Sequence, residues 1–229
     1  MKHPMPAMCS FAGMDVLHKI LLHPGCVAVG HHRGTYELKE GLHSAEEMDF
    51  LCTLSPRKQS EWIASRELLY TIAGLPERIQ CLYDDFGKPY LKDSDKHISV
   101  SHSDLWCAAM ISDVPCGVDI QVYNDTVRRI ASRFLTAEDL SVIERSAHPL
   151  ATLHVLWGAK ECLYKAYGKR KLGFREHIFI HPLDIKTGKG WGEIVYEGLH
   201  LQYEIQFRLL PECAWVYCLQ RDHDPVLHQ

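Results

Sequence analysis

The 229-residue sequence has no run approaching the roughly 18 apolar residues of a membrane-spanning helix, which excludes a helical span. It has no surplus of basic residues. Lys and Arg number 25 against 29 Asp and Glu, and the net charge of -4 argues against a protein whose main work is coating nucleic acid. Any anion it binds must then be met by a local cluster of cations. The nine cysteines lie scattered from Cys9 to Cys218 with no C-x-x-C pair and an odd total, so free thiols are expected rather than a disulfide framework. Fifteen histidines offer one adjacent pair, His31-His32, with no cysteine at zinc-ligand spacing. The opening MKHPMPAMCSFAGMDVLHK lacks the apolar core of a signal peptide, and a cytosolic protein is expected. There is no low-complexity segment and no long linker.

What is present is enough apolar material for a core: 46% of residues are hydrophobic and 24% charged. The length suits one compact globule or two small lobes sharing an interface. A faint internal echo favours the second. A-S-R-E-L-L-Y-T-I-A-G (Ala64 to Gly74) lies over G-A-K-E-C-L-Y-K-A-Y-G (Gly158 to Gly168), matching at Glu67/Glu161, Leu69/Leu163, Tyr70/Tyr164 and Gly74/Gly168. Each copy follows a helix-start signal after a leucine, L-S-P-R-K with Ser55 and Pro56, and L-T-A-E-D with Thr136. Each is closed by a glycine where a helix end favours a left-handed residue. Each is followed by strand-like runs, I-S-V-S-H-S and L-W-C-A-A-M-I-S, then E-I-V-Y-E, L-Q-Y-E-I-Q-F-R-L-L and A-W-V-Y-C-L. The pattern predicts two α+β lobes of similar plan joined near Gly117 to Tyr123, with a ligand cleft between them.

Three short stretches carry candidate chemistry. In C-G-V-D-I-Q, strand alternation turns Val118 and Ile120 to one face and Asp119 and Gln121 to the other. That face is either a polar strand edge or a pair of hard oxygen donors of the kind Mg2+ prefers. In L-W-G-A-K-E-C-L-Y-K-A-Y-G-K, Trp157, Glu161, Tyr164 and Lys165 share a helical stripe. Glu161 and Lys165 are four apart, so the stripe holds either an ordinary ion pair or part of a site. In H-I-S-V-S-H-S, a strand ends on His102 between Ser101 and Ser103, donors suited to a phosphate oxygen or plain structural residues. Lys88 in F-G-K-P-Y-L, with Arg57, Lys58 and Arg66, supplies local cations.

In order, G-K-P-Y-L, I-S-V-S-H-S, G-V-D-I-Q and W-x-x-K-E-x-x-x-K (Trp157, Lys160, Glu161, Lys165) resemble the motif set of the 4'-phosphopantetheinyl transferases. The resemblance is to the larger single-chain class related to the surfactin-synthetase activator, and it runs from about Leu54 to Lys169. It implies an α+β fold of two pseudo-symmetric lobes, 1–117 on the coenzyme A adenosine and phosphate side and 118–229 with the metal and catalytic helix, and an active site in the cleft. It implies transfer of the phosphopantetheine arm of coenzyme A to a serine of an apo acyl or peptidyl carrier protein, leaving 3',5'-ADP. Carried over by motif, Asp119 and Glu161 are Mg2+ ligands with Gln121 beside them, and Glu161, Lys165 and Asp119 are catalytic. Lys165 and His102 meet the coenzyme A phosphates; Lys58, Arg66 and Lys88 lie near the adenosine and 3'-phosphate, and Ser101 and Lys160 join the cofactor-binding set.

Many relatives carry an acid where this chain has Gln121, which brings an amide oxygen but no charge. The alternative in keeping with that departure is a non-catalytic coenzyme A or carrier-protein binding module. A further alternative is a structural α+β protein whose Glu161-Lys165 pair is only a surface ion pair. Since carrier proteins tend to be acidic, Arg128, Arg129 and Arg133 are candidate docking residues, and the doubling of the chain implies a monomer with no nucleic-acid or membrane partner.

Overall fold

A computed structural model describes residues 10–11, 14–32, 44–74, 80–169 and 171–221. Residues 1–9 and 12–13 of the opening segment, Cys9 among them, lie outside the described residues. In chain order the strands are β1 (Ser10–Phe11), β2 (Met14–Leu22), β3 (Gly25–His32), β4 (Cys81–Tyr83), β5 (Pro89–Leu91), β6 (His97–Ser103), β7 (Trp106–Ser112), β8 (Cys116–Val122), β9 (Ile178–Ile180), β10 (Lys189–Tyr196), β11 (Leu199–Leu209) and β12 (Cys213–Gln220). The helices are α1 (Ala45–Cys52), α2 (Pro56–Ala73), α3 (Asp125–Ile130), α4 (Ala137–Arg145) and α5 (Pro149–Tyr167), with a 3-10 turn at Ala131–Arg133. The class is α+β.

One antiparallel sheet has the order β1-β2-β3-β7-β6 and a second has the order β8-β12-β11-β10-β9. Strand alternation gives each sheet two apolar faces. In the first, Cys26, Ala28, Cys107, Ala109 and Ile111 pack under Ala64, Leu68, Leu69 and Ile72 of α2. Their neighbours Val27, Val29, Ala108 and Met110 turn the other way and meet Val118, Ile120, Trp215 and Tyr217 of the second sheet. The far face of the second sheet takes Val155, Ala159, Cys162, Leu163 and Ala166 of α5, a spacing of threes and fours that puts all five on one helix side. The layers therefore run helix, sheet, sheet, helix.

The expected glycine stops hold: Gly74 and Gly168 cap α2 and α5 in the left-handed region, at φ 62° and 72°. The start signals need correction. Ser55 stands at the N-cap of α2 with Pro56 in the first turn, but its hydroxyl makes no capping bond. Thr136 does cap, in a reciprocal box with Asp139, yet the helix it opens is α4, which ends at Arg145. The echo helix α5 starts separately at Pro149, because the N–H groups of a first helical turn have no intrahelical acceptor and proline has no N–H to leave unsatisfied.

The eight described cysteines are free thiols, seven of them buried. No helix among the described residues is long and apolar enough to cross a membrane.

Candidate active site

Two glycines let α5 come down on the second sheet. A Cβ on Gly117 in β8 would collide with the carbonyl oxygen of Cys162, and one on Gly158 would reach Val216 Cγ2 at 2.9 Å and Asp119 Oδ2 at 3.5 Å. Close packing of this kind needs residues without a side chain. Its result is that Asp119 of β8 and the Glu161–Lys165 turn of α5 share one half-buried space.

β8 is an edge strand of its sheet, and its outward N–H groups need partners. Three serines of β6, spaced by two, supply them: Val118, Ile120 and Val122 donate to the hydroxyls of Ser99, Ser101 and Ser103 at 3.0, 3.3 and 3.0 Å. Side chains thus take the place of a neighbouring strand and lock β6 to β8. Ser101 uses its own proton to donate to Asp119 Oδ1 at 2.8 Å. Ser101, expected to meet a phosphate, here spends its proton on Asp119 and accepts the Ile120 N–H.

Asp119 Oδ1 also accepts from Lys165 Nζ at 2.8 Å, and that ammonium donates to the Val118 carbonyl at 3.0 Å. Burial is the largest influence and works to lower the Lys165 pKa, but the Asp119 charge and hydrogen bond together with Cys162 and Glu161 outweigh it and leave the ammonium above its ordinary value. The second carboxylate oxygen, Asp119 Oδ2, is buried with no hydrogen-bond partner. Beside it, burial pushes the Glu161 carboxyl up to about 7; Lys165 opposes the rise and Asp119 adds to it. Gln121, next along the same face of β8, is half-buried, its amide nitrogen 3.5 Å from the Val122 carbonyl. Among the described residues no group of three or more His, Cys, Asp and Glu converges as a metal site; Asp119 and Glu161 are close enough for the one to act on the other.

A cavity of about 260 Å³ opens at Lys165, lined in part by Tyr83, Lys88, Ser99, Tyr164, Lys165 and Lys169. Lys88 crosses from the turn before β5 to donate to the Ala166 carbonyl at 2.7 Å, its stem lying against Gly168. Burial lowers its pKa.

The other expected residues divide. His102 points outward at the far end of β6, its Nδ1 3.4 Å from Glu61; burial lowers its pKa and the Glu61 carboxylate partly offsets that. Arg66 is buried behind the cavity wall, stacked on Trp62 and Tyr83 and donating to the Tyr83 hydroxyl at 2.7 Å. Lys58 is exposed on the first turn of α2 and is not part of the cavity lining. Lys160, expected among the cofactor-binding residues, is fully buried on the opposite side of α5, donating to the Phe174 and Ile178 carbonyls at 2.8 and 2.6 Å with Asp139 at 3.9 Å. It ties down residues 174–178. Trp157 packs its ring on Phe134 and Phe174, at 4.6 and 5.8 Å between centroids.

Residues 115–218 match the family model of the 4'-phosphopantetheinyl transferase superfamily. A 4'-phosphopantetheinyl transferase of Aneurinibacillus migulanus is 32% identical over 107 residues, covering 45% of this chain and 45% of that protein. One of Bacillus subtilis is 31% identical over 98 residues, covering 41% and 43%, and one of Bacillus pumilus is 29% identical over 108 residues, covering 45% and 46%. In each case the match spans just under half the length of the relative. The matched region holds Asp119, Gln121, Lys160, Glu161 and Lys165, and the residues contributed by β5 and β6 lie before it.

Proposed function

From the superfamily similarity of residues 115–218, we propose that the chain is a 4'-phosphopantetheinyl transferase, moving the phosphopantetheine arm of coenzyme A to a serine hydroxyl of an apo acyl or peptidyl carrier protein and releasing 3',5'-ADP. The observation that carries the reading is the juxtaposition of an unpartnered Asp119 oxygen, a Glu161 carboxyl raised to about 7 and the Lys165 ammonium.

A serine hydroxyl is poorly ionised at neutral pH, so its attack on a diphosphate calls for a base. Glu161 is partly ionised near pH 7 and suits that role, taking the serine proton directly or through water. Lys165, fixed by Asp119 and the Val118 carbonyl, sets a positive charge where the phosphate negative charge develops. Lys88 and Lys169 add positive charge along the cavity wall for the coenzyme A phosphates, with His102 further out. Arg66 acts through Tyr83, holding the phenol that forms part of the wall. Lys160 holds the segment after α5 in place.

The residues present fit a divalent cation. Asp119 Oδ2 and the desolvated Glu161 carboxyl would hold Mg2+, with the Gln121 amide oxygen or a water beside them, and the ion would offset diphosphate charge.

The two-lobe plan, 1–117 and 118–229, belongs to the same reading. Its support is that the echoed residues sit alike: Arg66 and Lys160 are both buried, as are Leu69 and Leu163, while Glu67 and Glu161 are half-buried. Arg128, Arg129 and Arg133, exposed after β8, offer charge for an acidic carrier, and the chain acts as a cytosolic monomer. Chromatographic detection of 3',5'-ADP from coenzyme A, Mg2+ and an apo carrier tests the transfer. Its absence with every carrier tried, while coenzyme A binds, would replace transfer by binding alone.

A further inference from the structure

A second opening lies on the Lys160 side of α5. A groove of about 810 Å³ runs between α4, the N-terminal half of α5 and the segment from β9 to residue 186. Small-molecule sites commonly measure about 300–1,000 Å³. Its walls include Val142, Leu156, Phe179, Ile180, Leu183 and Ile185. Val142 and Ile185 are also 37% and 38% exposed, and Leu140 and Leu150 on the same two helices are 38% and 42% exposed. Large apolar side chains gathered around an opening mark a ligand or partner surface more often than singly scattered ones do.

The polar groups on the groove floor already satisfy one another. Lys160 is bound to the Phe174 and Ile178 carbonyls, Asp139 accepts the Thr136 N–H at 2.9 Å, and the hydroxyls of Ser146 and Thr152 bond each other at 2.7 Å. His181 is held by Glu193 at 3.0 Å and lies flat on Trp191. The uncommitted charge is at the edge. Arg145 and Lys186 line the opening and are exposed; neither forms a close ion pair among the described residues, although the Asp184 carboxylate beside the opening feels the Lys186 charge, and the only exposed acid in the lining itself is Glu138.

We propose that this groove binds an amphipathic anion with a single alkyl chain, the chain along the apolar walls and a carboxylate or phosphate head at Arg145 and Lys186. Charge complementarity selects the head: a cationic amphiphile would meet two like charges, and a neutral one would leave both unused. The site is separate from Asp119, Glu161 and Lys165, and it stands whether or not the chain is a transferase.

Calorimetric titration of the full chain with octanoate, decanoate and dodecanoate below their micellar concentrations tests this. The expected result is one saturable site, with affinity rising about fourfold per methylene while the chain still finds apolar wall. Dodecylammonium should bind at least tenfold more weakly, and the double variant Arg145→Glu, Lys186→Glu should lose at least tenfold for dodecanoate with its circular dichroism unchanged. Because Val142 is exposed, Val142→Glu serves as a second variant that keeps the core intact and should lose binding in the same way. No saturable site, an affinity independent of chain length, or a double variant that binds as the wild type does would each overturn the proposal. Inorganic phosphate binding as tightly as dodecanoate would reduce it to a simple anion site and overturn it. Capture on phosphatidylglycerol vesicles without binding of monomeric dodecanoate would overturn it in favour of a membrane surface.

Discussion

Glu161 is expected to cost stability in proportion to pH, and Glu161→Gln should remove that cost. Below pH 4.5 the carboxyl is protonated in folded and unfolded chains alike and makes no difference to folding. Between 4.5 and about 7 the unfolded chain releases a proton that the folded chain keeps, so stability falls as pH rises through this window, and above it the full cost applies. At about 1.4 kcal/mol per pH unit the cost reaches about 3 kcal/mol. For a chain of this size that corresponds to about 6–12 °C in Tm. Thermal unfolding in EDTA at pH 8.5 should therefore show the variant more stable than wild type by roughly that amount, and at pH 5 by under about 1 kcal/mol. An equal effect at both pH values, or a destabilised variant at pH 8.5, would refute the claim that Glu161 is held against its preference for water.

Gln121→Glu should lower the Mg2+ concentration for half-maximal transfer, because a carboxylate adds charge where an amide does not; an unchanged Mg2+ titration would place Gln121 outside the cation's reach. Ser101→Ala should cost about 1–3 kcal/mol in urea unfolding by stranding the Ile120 N–H and weakening the hold on Asp119, and a value near zero would remove the serine ladder as a structural device. Lys160→Met should destabilise the fold by about 2–4 kcal/mol through two unpaired carbonyls while coenzyme A affinity of the folded protein stays within twofold; a tenfold affinity loss would return Lys160 to the ligand. Gly117→Ala should be among the most damaging small changes, at least about 3 kcal/mol, since the new methyl meets backbone rather than a side chain that can move.

The long periodic elements were legible because their signals are local. The α5 stripe, the glycine ends of α2 and α5 and the strands β6, β7, β8, β10, β11 and β12 appear where alternation and spacing put them, whereas the three residues of β9 are too few to carry such a signal. So does the meeting of Asp119 with Lys165, although it needed four ordered motifs rather than any single residue. What was not legible shares a cause: a polar side chain in a motif does not announce its direction. Lys160 and Glu161 are adjacent on one helix, so about 100° of rotation separates them, enough to send one to the site and the other under β9. Ser101 beside His102 and Ser103 suggests a ligand donor; with Ser99 it makes three serines spaced by two opposite V-D-I-Q-V, and these form a side-chain ladder. The break between α4 and α5 falls at His148-Pro149, where proline opens a new first turn.

The central claim is that Asp119, Glu161 and Lys165 form one transfer site, and the intact mass of an apo carrier protein tests it most directly. After incubation with the chain, coenzyme A and Mg2+, the carrier should gain the mass of one phosphopantetheine, and EDTA or Glu161→Gln should abolish the gain while coenzyme A still binds. A carrier whose mass never changes under conditions where coenzyme A is bound, or a Glu161→Gln variant that transfers at the wild-type rate, would contradict it.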